Sequence, residues 1–187
     1  MKKTEIVGYK RANLGRQASQ ELRAQGMVPS VLYGGQDQIS FYAPVYLFRP
    51  LLYTPDVYEV TLNIEGTEYQ AILQDTQFHP VNDTITHADF LLITPEKVIN
   101  VAVPIKLNGV SDGQKKGGKL VQMMRKLRVK GAAKNIPEYV NLDITALELG
   151  KSIKVSSIEL EGVTIIDPAS NPVASIAIPR SLRQQGA

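Results

Sequence analysis

The 187 residues contain no cysteine and no tryptophan. Without cysteine there is no disulfide framework, no thiol nucleophile and no thiolate-bound zinc, a usage that fits a cytosolic protein. No apolar run approaches the roughly 20 residues of a membrane-spanning helix. The opening Met1-Lys2-Lys3-Thr4-Glu5 lacks the apolar core of a secretory signal. Nucleotide-binding loops, nucleophile elbows and zinc motifs are missing too. Any active site would have to be assembled from two histidines and scattered carboxylates. These absences lead to the expectation of a soluble intracellular protein, with a thin basis for an active site.

What is present is an ordinary globular composition, 43% apolar, in a chain long enough for one large domain or two small ones. The net charge of +3 is small, but it is distributed in blocks. Residues 1–25 carry six Lys/Arg against two acids, and residues 26–95 one against eight. Residues 96–134 carry ten against two, and residues 135–187 four against six. Segregation of this kind suggests anionic partners met by two basic patches, because local fields steer association more than net charge does. Solvated loops would give the same counts.

Period-two hydrophobic alternation dominates the chain. Strands are predicted at Thr4 to Tyr9, Met27 to Tyr33, Ile39 to Ala43, Val57 to Ile64, Thr67 to Leu73 and Thr84 to Ile93. A short helix is predicted over Gln20 to Gln25, capped by Ser19, ended by Gly26 and turning Leu22 to the core. If the turn begins earlier, Arg16, Ser19 and Arg23, spaced by three and four, share one exposed face. Val45 to Tyr53 reads as a helical stretch weakened by Pro50. Thr94-Pro95-Glu96 interrupts the pattern. Beyond it lie a long strand from Val98 to Leu107, an exposed mobile loop from Asn108 to Lys119, and one strand from Leu120 to Lys130. Short strands follow at Val140 to Ile144, Ser152 to Val155, Val163 to Ile166 and Val173 to Ile178, then a frayed polar tail. The spacing indicates a sandwich or barrel rather than alternating βα units.

Both histidines fall between Ala71 and Phe90. This stretch reads as a long β-hairpin with a polar tip: Gln74, Asp75 and Gln77 on the way out, a His79-Pro80 corner, an Asn82-Asp83 turn, and a strand back. Alternation turns Ala88 and Phe90 inward and His87 and Asp89 outward. An outward His-x-Asp admits three readings. It can be a solvated surface pair; with His79 it can form a metal or catalytic set of the two-histidine, one-carboxylate kind that suits non-haem iron; or it can read nucleic acid, the carboxylate accepting from a base edge or ribose hydroxyl. Tyr33, at the Gly34-Gly35 corner, is either a core residue or a ring and hydroxyl offered to a ribose.

Several motifs together carry a resemblance: Arg11 with Gly15-Arg16, Leu22-Arg23-Ala24-x-Gly26, Pro29 through Tyr33-Gly34-Gly35, Gln74-Asp75-x-Gln77-x-His79-Pro80, and His87-x-Asp89-Phe90. In this order they resemble the bacterial large-subunit ribosomal protein family that binds 5S rRNA, in the two-domain form known as general stress protein Ctc. Val103-Pro104, Gly117-Gly118-Lys119, Ile136-Pro137-Glu138 and the Leu-x-Leu-Gly-Lys-Ser run from Leu147 resemble its second domain. The resemblance implies a mainly β, cytoplasmic and ribosome-associated protein that is not an enzyme, holds no cofactor and meets neither a membrane nor a small-molecule substrate. An N-terminal β-barrel with short helices (1–94) would bind 5S rRNA in the central protuberance of the large subunit. An all-β C-terminal domain (95–180), facing neighbouring ribosomal proteins or rRNA, and a polar tail (181–187) would follow. By position it implies RNA contacts from Arg11, Arg16, Ser19, Arg23, Tyr33, Gly34, Gln74, Gln77, His79, His87 and Asp89. The chain departs from the family at Gln20, Glu21 and Phe78, where members often carry basic residues. Fewer cations release fewer counterions, so a weaker salt dependence is expected. A protein-interaction role for the C-terminal domain stands beside the RNA reading.

Overall fold

Along several strands burial alternates with the apolar residues of the sequence, and the computed structural model closes the first six strands on themselves. It describes residues 1–94 and 96–179; Pro95 and the tail from Arg180 on lie outside them. The chain divides into two units after Ile99. In the first, β1 (Lys2–Lys10), β2 (Met27–Tyr33), β3 (Ile39–Pro44), β4 (Tyr58–Ile64), β5 (Thr67–Phe78) and β6 (Ile85–Leu92) form a closed barrel in the order β1-β3-β2-β6-β5-β4. The strands that close it, β1 and β4, run parallel from Lys2↔Tyr58 to Gly8↔Ile64.

Ile6, Leu32, Phe41, Leu62 and Phe90 fill the barrel and are essentially inaccessible. The Phe90 ring lies 5.8 Å from Phe41 and 6.2 Å from Phe48. Burying each such ring stabilises the fold by about 1.5–3 kcal/mol. Gly8 faces this core because a Cβ there would lie 2.7 Å from the Phe41 ring.

The helical segments depart from the sequence expectation. Helix α1 spans Arg16–Ala24, four residues earlier than predicted, and its N-cap is Gly15 rather than Ser19. Ser19 lies inside the helix, where its hydroxyl donates back to the Gly15 carbonyl at 2.7 Å. Back-bonding to the carbonyl four residues earlier is what a serine hydroxyl inside a helix does. Leu22 is half-buried, and no residue of α1 is fully buried, so the helix rests on the barrel rather than entering its core. The Val45–Tyr53 stretch is a 3-10 turn, Val45–Phe48, running into α2 (Arg49–Leu52). Pro50 sits in the first turn of α2, where its missing N–H is not needed.

The second unit is also mainly β. Strands β7 (Val98–Asn108), β8 (Lys119–Gln122), β9 (Lys126–Ala132), β10 (Val140–Asp143), β11 (Ser152–Lys154), β12 (Val163–Ile165) and β13 (Pro172–Ala177) make two sheets, ordered β10-β7-β9-β12 and β11-β13-β8. Leu127 and Val129 of the first sheet and Val173 and Ile176 of the second are buried.

Two expectations fail in this unit. The Leu120–Lys130 strand is two strands in different sheets, because the chain leaves β8 through Met123 and Met124, whose N–H groups both donate to Val173 O. The Asn108–Lys119 loop is not exposed throughout. Ser111 is fully buried and caps a short helix, α3 (Asp112–Lys115), in a capping box with Gln114. Reciprocal bonding of that kind satisfies two donors that a loop would leave to water.

Candidate nucleic-acid interface

Residues opposite one another in a β-ladder share a face. The β5–β6 hairpin pairs Ala71↔Leu92 to Phe78↔Ile85, with two slips in register. One slip leaves Gln74 unpaired on β5, and the other leaves Thr86 unpaired on β6. The Gln74 bulge makes two consecutive side chains, Gln74 and Asp75, exposed, after which Asp75 stands opposite Asp89 and Gln77 opposite His87. On the other side of β6, Asp89 is level with Val31 of β2, and Leu91 with Tyr33. Asp75, Gln77, His87, Asp89 and Tyr33 therefore occupy one outer patch of the barrel, while Ala88 and Phe90 are buried behind it.

Within the patch His87 Nδ1 lies 3.0 Å from Asp89 Oδ1. A proton on Nδ1 makes this a hydrogen bond, which fixes the ring. Burial first, then the Asp89 and Asp75 carboxylates, raise the Tyr33 phenol above its ordinary value, so it remains a donor. Two facing carboxylates repel one another and gain from donors supplied by a ligand. The patch thus offers two acceptors, a phenolic donor, an amide and an imidazole on a rigid sheet. That chemistry matches base edges and ribose hydroxyls better than phosphates.

The cations stand beside it. Arg23 Nε donates to the Thr86 carbonyl at 2.9 Å, tying α1 to the bulge in the hairpin. Arg11 donates through Nη2 to Ser19 Oγ at 3.0 Å, while its Nε is buried without a partner among the described residues. Arg16 is exposed on the first turn of α1. Gln20, Glu21 and Phe78 are exposed as well, and none of the three adds positive charge.

Two of the expected residues serve the fold first. At the hairpin tip His79 Nδ1 accepts from Val81 N at 3.2 Å and from Asn82 N at 3.4 Å, so this nitrogen organises the turn. It does not join His87 and Asp89, and no set of three metal-ligating side chains occurs among the described residues. Gly34 has φ +92, and a Cβ on it would meet Leu91 at 2.6 Å and Lys97 Nζ at 2.7 Å. Lys97 donates to the carbonyls of Gly34 and Leu92, holding the corner after Tyr33.

Tyr9 and Tyr42 were missed from sequence. They pair across β1 and β3, Tyr42 pairs with Pro29 of β2, and the two rings lie 5.7 Å apart on the outer surface. The available signal was an aromatic residue at an outward strand position.

Comparison with known proteins agrees with this architecture. The sequence model of the ribosomal L25p family matches residues 6–90, and that of the ribosomal protein TL5 C-terminal domain matches residues 98–180. The chain is 46% identical to large ribosomal subunit protein bL25 of Cytophaga hutchinsonii, over all of this chain and 97% of the relative. It is 48% identical to bL25 of Amoebophilus asiaticus, covering 98% of this chain and 93% of that one. With bL25 of Porphyromonas gingivalis the figures are 40%, 98% and 96%. No helix among the described residues is long and apolar enough to cross a membrane. The chain belongs to the bacterial bL25 family of large-subunit ribosomal proteins, in its two-domain form, and its role is structural rather than enzymatic.

Proposed function

We propose that the outer patch of the barrel binds 5S rRNA, and that the chain thereby takes its place in the central protuberance of the cytoplasmic large subunit. The observation that carries this reading is the His87–Asp89 pair, held at 3.0 Å on a closed barrel and flanked by Gln77, Asp75 and Tyr33. Such acceptors suit the 2′-hydroxyls and base edges of a shallow minor groove or a non-Watson–Crick segment. Arg11, Arg16 and Arg23 fix the register on phosphates, and Ser19 acts through Arg11. Gln74, pushed outward by its bulge, extends the contact along β5. Gly34 and His79 shape the corner and the tip that border the RNA.

The test is a titration with 5S rRNA and a size-matched unrelated RNA across several salt concentrations. Selective binding that persists as salt rises is expected. Asp89→Ala costs about 1–3 kcal/mol of affinity with no change in salt slope, as removal of a base-edge contact does. Arg16→Ala lowers the slope by about one. Equal affinity for both RNAs, collapsing together with salt, would defeat the proposal.

A further inference from the structure

The outer face of the β10-β7-β9-β12 sheet is cationic and has no role in the barrel's reading. Burial alternates strictly along β9: Leu127 and Val129 are buried, while Lys126, Arg128 and Lys130 are exposed. On the same sheet Lys106 of β7 is exposed beside Asn141 of β10, with its ammonium 3.2 Å from the centre of the Tyr139 ring. Lys130 is level with exposed Thr164 of β12. The four strands carry these four cations against a single acid, Asp143, whose Oδ1 is occupied by the Thr145 N–H and hydroxyl.

Arg128 is built in rather than trailing in solvent. Asp167 accepts from its Nε, its Nη2 and its backbone N–H, each at 2.7 Å. The carboxylate is sunk to 5% side-chain exposure while the guanidinium keeps 64%. The guanidinium is held in place with its free edge outward, which is how arginine presents donors to phosphate. Elsewhere this chain pairs surface lysines with acids, as in Lys115–Asp112 and Lys3–Glu59. Lys126 and Lys130 have no such partner among the described residues.

We infer that this sheet face is a second RNA-binding surface, lying across the phosphate backbone of rRNA in the large subunit. Alternate residues of a strand are roughly 6.6–6.8 Å apart, so the β9 row spans about 13 Å, enough to engage successive phosphates of one strand. Unpaired lysines and a fixed arginine with few acids among them complement a polyanion, and contact of this kind reads backbone rather than sequence. The surface is independent of the barrel patch.

The test uses the full chain bound to large subunits from cells lacking it. Because the sequence has no cysteine, Thr164→Cys gives a unique attachment point for an iron chelate on this face. Hydroxyl-radical cuts in rRNA are expected from Thr164→Cys and not from Ser152→Cys on β11. In parallel, Lys106→Gln/Lys126→Gln/Lys130→Gln should lower the salt slope of subunit binding by about two to three and weaken it at least tenfold at low salt. The corresponding triple Lys→Arg variant should restore both, which separates charge from folding. Absence of cuts from Thr164→Cys, or an unchanged slope in the Gln variant, overturns the inference. Cleavage of a neighbouring protein's backbone from Thr164→Cys in place of rRNA overturns it in favour of an acidic protein surface.

Discussion

Thr86 is where the helix and the hairpin meet. Its bulge frees a carbonyl that Arg23 takes, so an arginine expected to serve RNA also positions the helix that carries it. His79 was legible as a special residue, yet its Nδ1 is spent on the turn at the hairpin tip. A sequence shows that an imidazole is present but not which nitrogen the backbone will claim. Asp143 gives a pH prediction at this scale. Hydrogen bonds from the Thr145 side chain and then its backbone N–H hold the Asp143 carboxyl below its ordinary 3.8. A depressed folded pKa means that the stabilisation is present above the ordinary value and is lost as pH falls through the lowered one. Carboxyl NMR titration should place Asp143 below 3.8, and Asp143→Asn should remove this part of the acid sensitivity. A titration at the ordinary value would refute the assignment.

At the scale of elements, the long hairpin and its inward Ala88 and Phe90 follow from alternation alone. The Gln74 bulge does not, since an extra residue in one strand is defined only against its partner. The start of α1 differs from expectation for a related reason: Ser19 is a common cap, but Gly15 takes the cap position with φ +145, a backbone open to glycine, and Ser19 bonds inward instead. The corner after β2 yields a stability prediction. Gly34→Ala forces a side chain onto φ +92 and into Leu91 and Lys97. Left-handed backbone alone costs about 1–2 kcal/mol, so a loss of at least that size is expected in denaturant unfolding. A neutral effect would show that Lys97 swings away and that its two carbonyl bonds do not hold the corner.

At the scale of the whole molecule, two units match two family domains, with the contact boundary after Ile99. Dividing the chain at 94/95 for function, we expect residues 1–94 alone to retain selectivity for 5S rRNA, and residues 95–180 to show none. Comparable selectivity in both pieces would reject that division. The sequence by itself determined the β class, the apolar sides of the strands and the motifs by which the family is recognised, because each depends on residue type and local period. Tertiary structure alone decided that Asp75, Gln77, His87, Asp89 and Tyr33 share one patch, since ladder register and bulges bring three strands together there. It also decided that Lys106, Lys126, Arg128 and Lys130 share a face. The charge count marked a basic block, but only sheet pairing sorts exposed cations from buried neighbours and sets the acid partner of Arg128 beneath it.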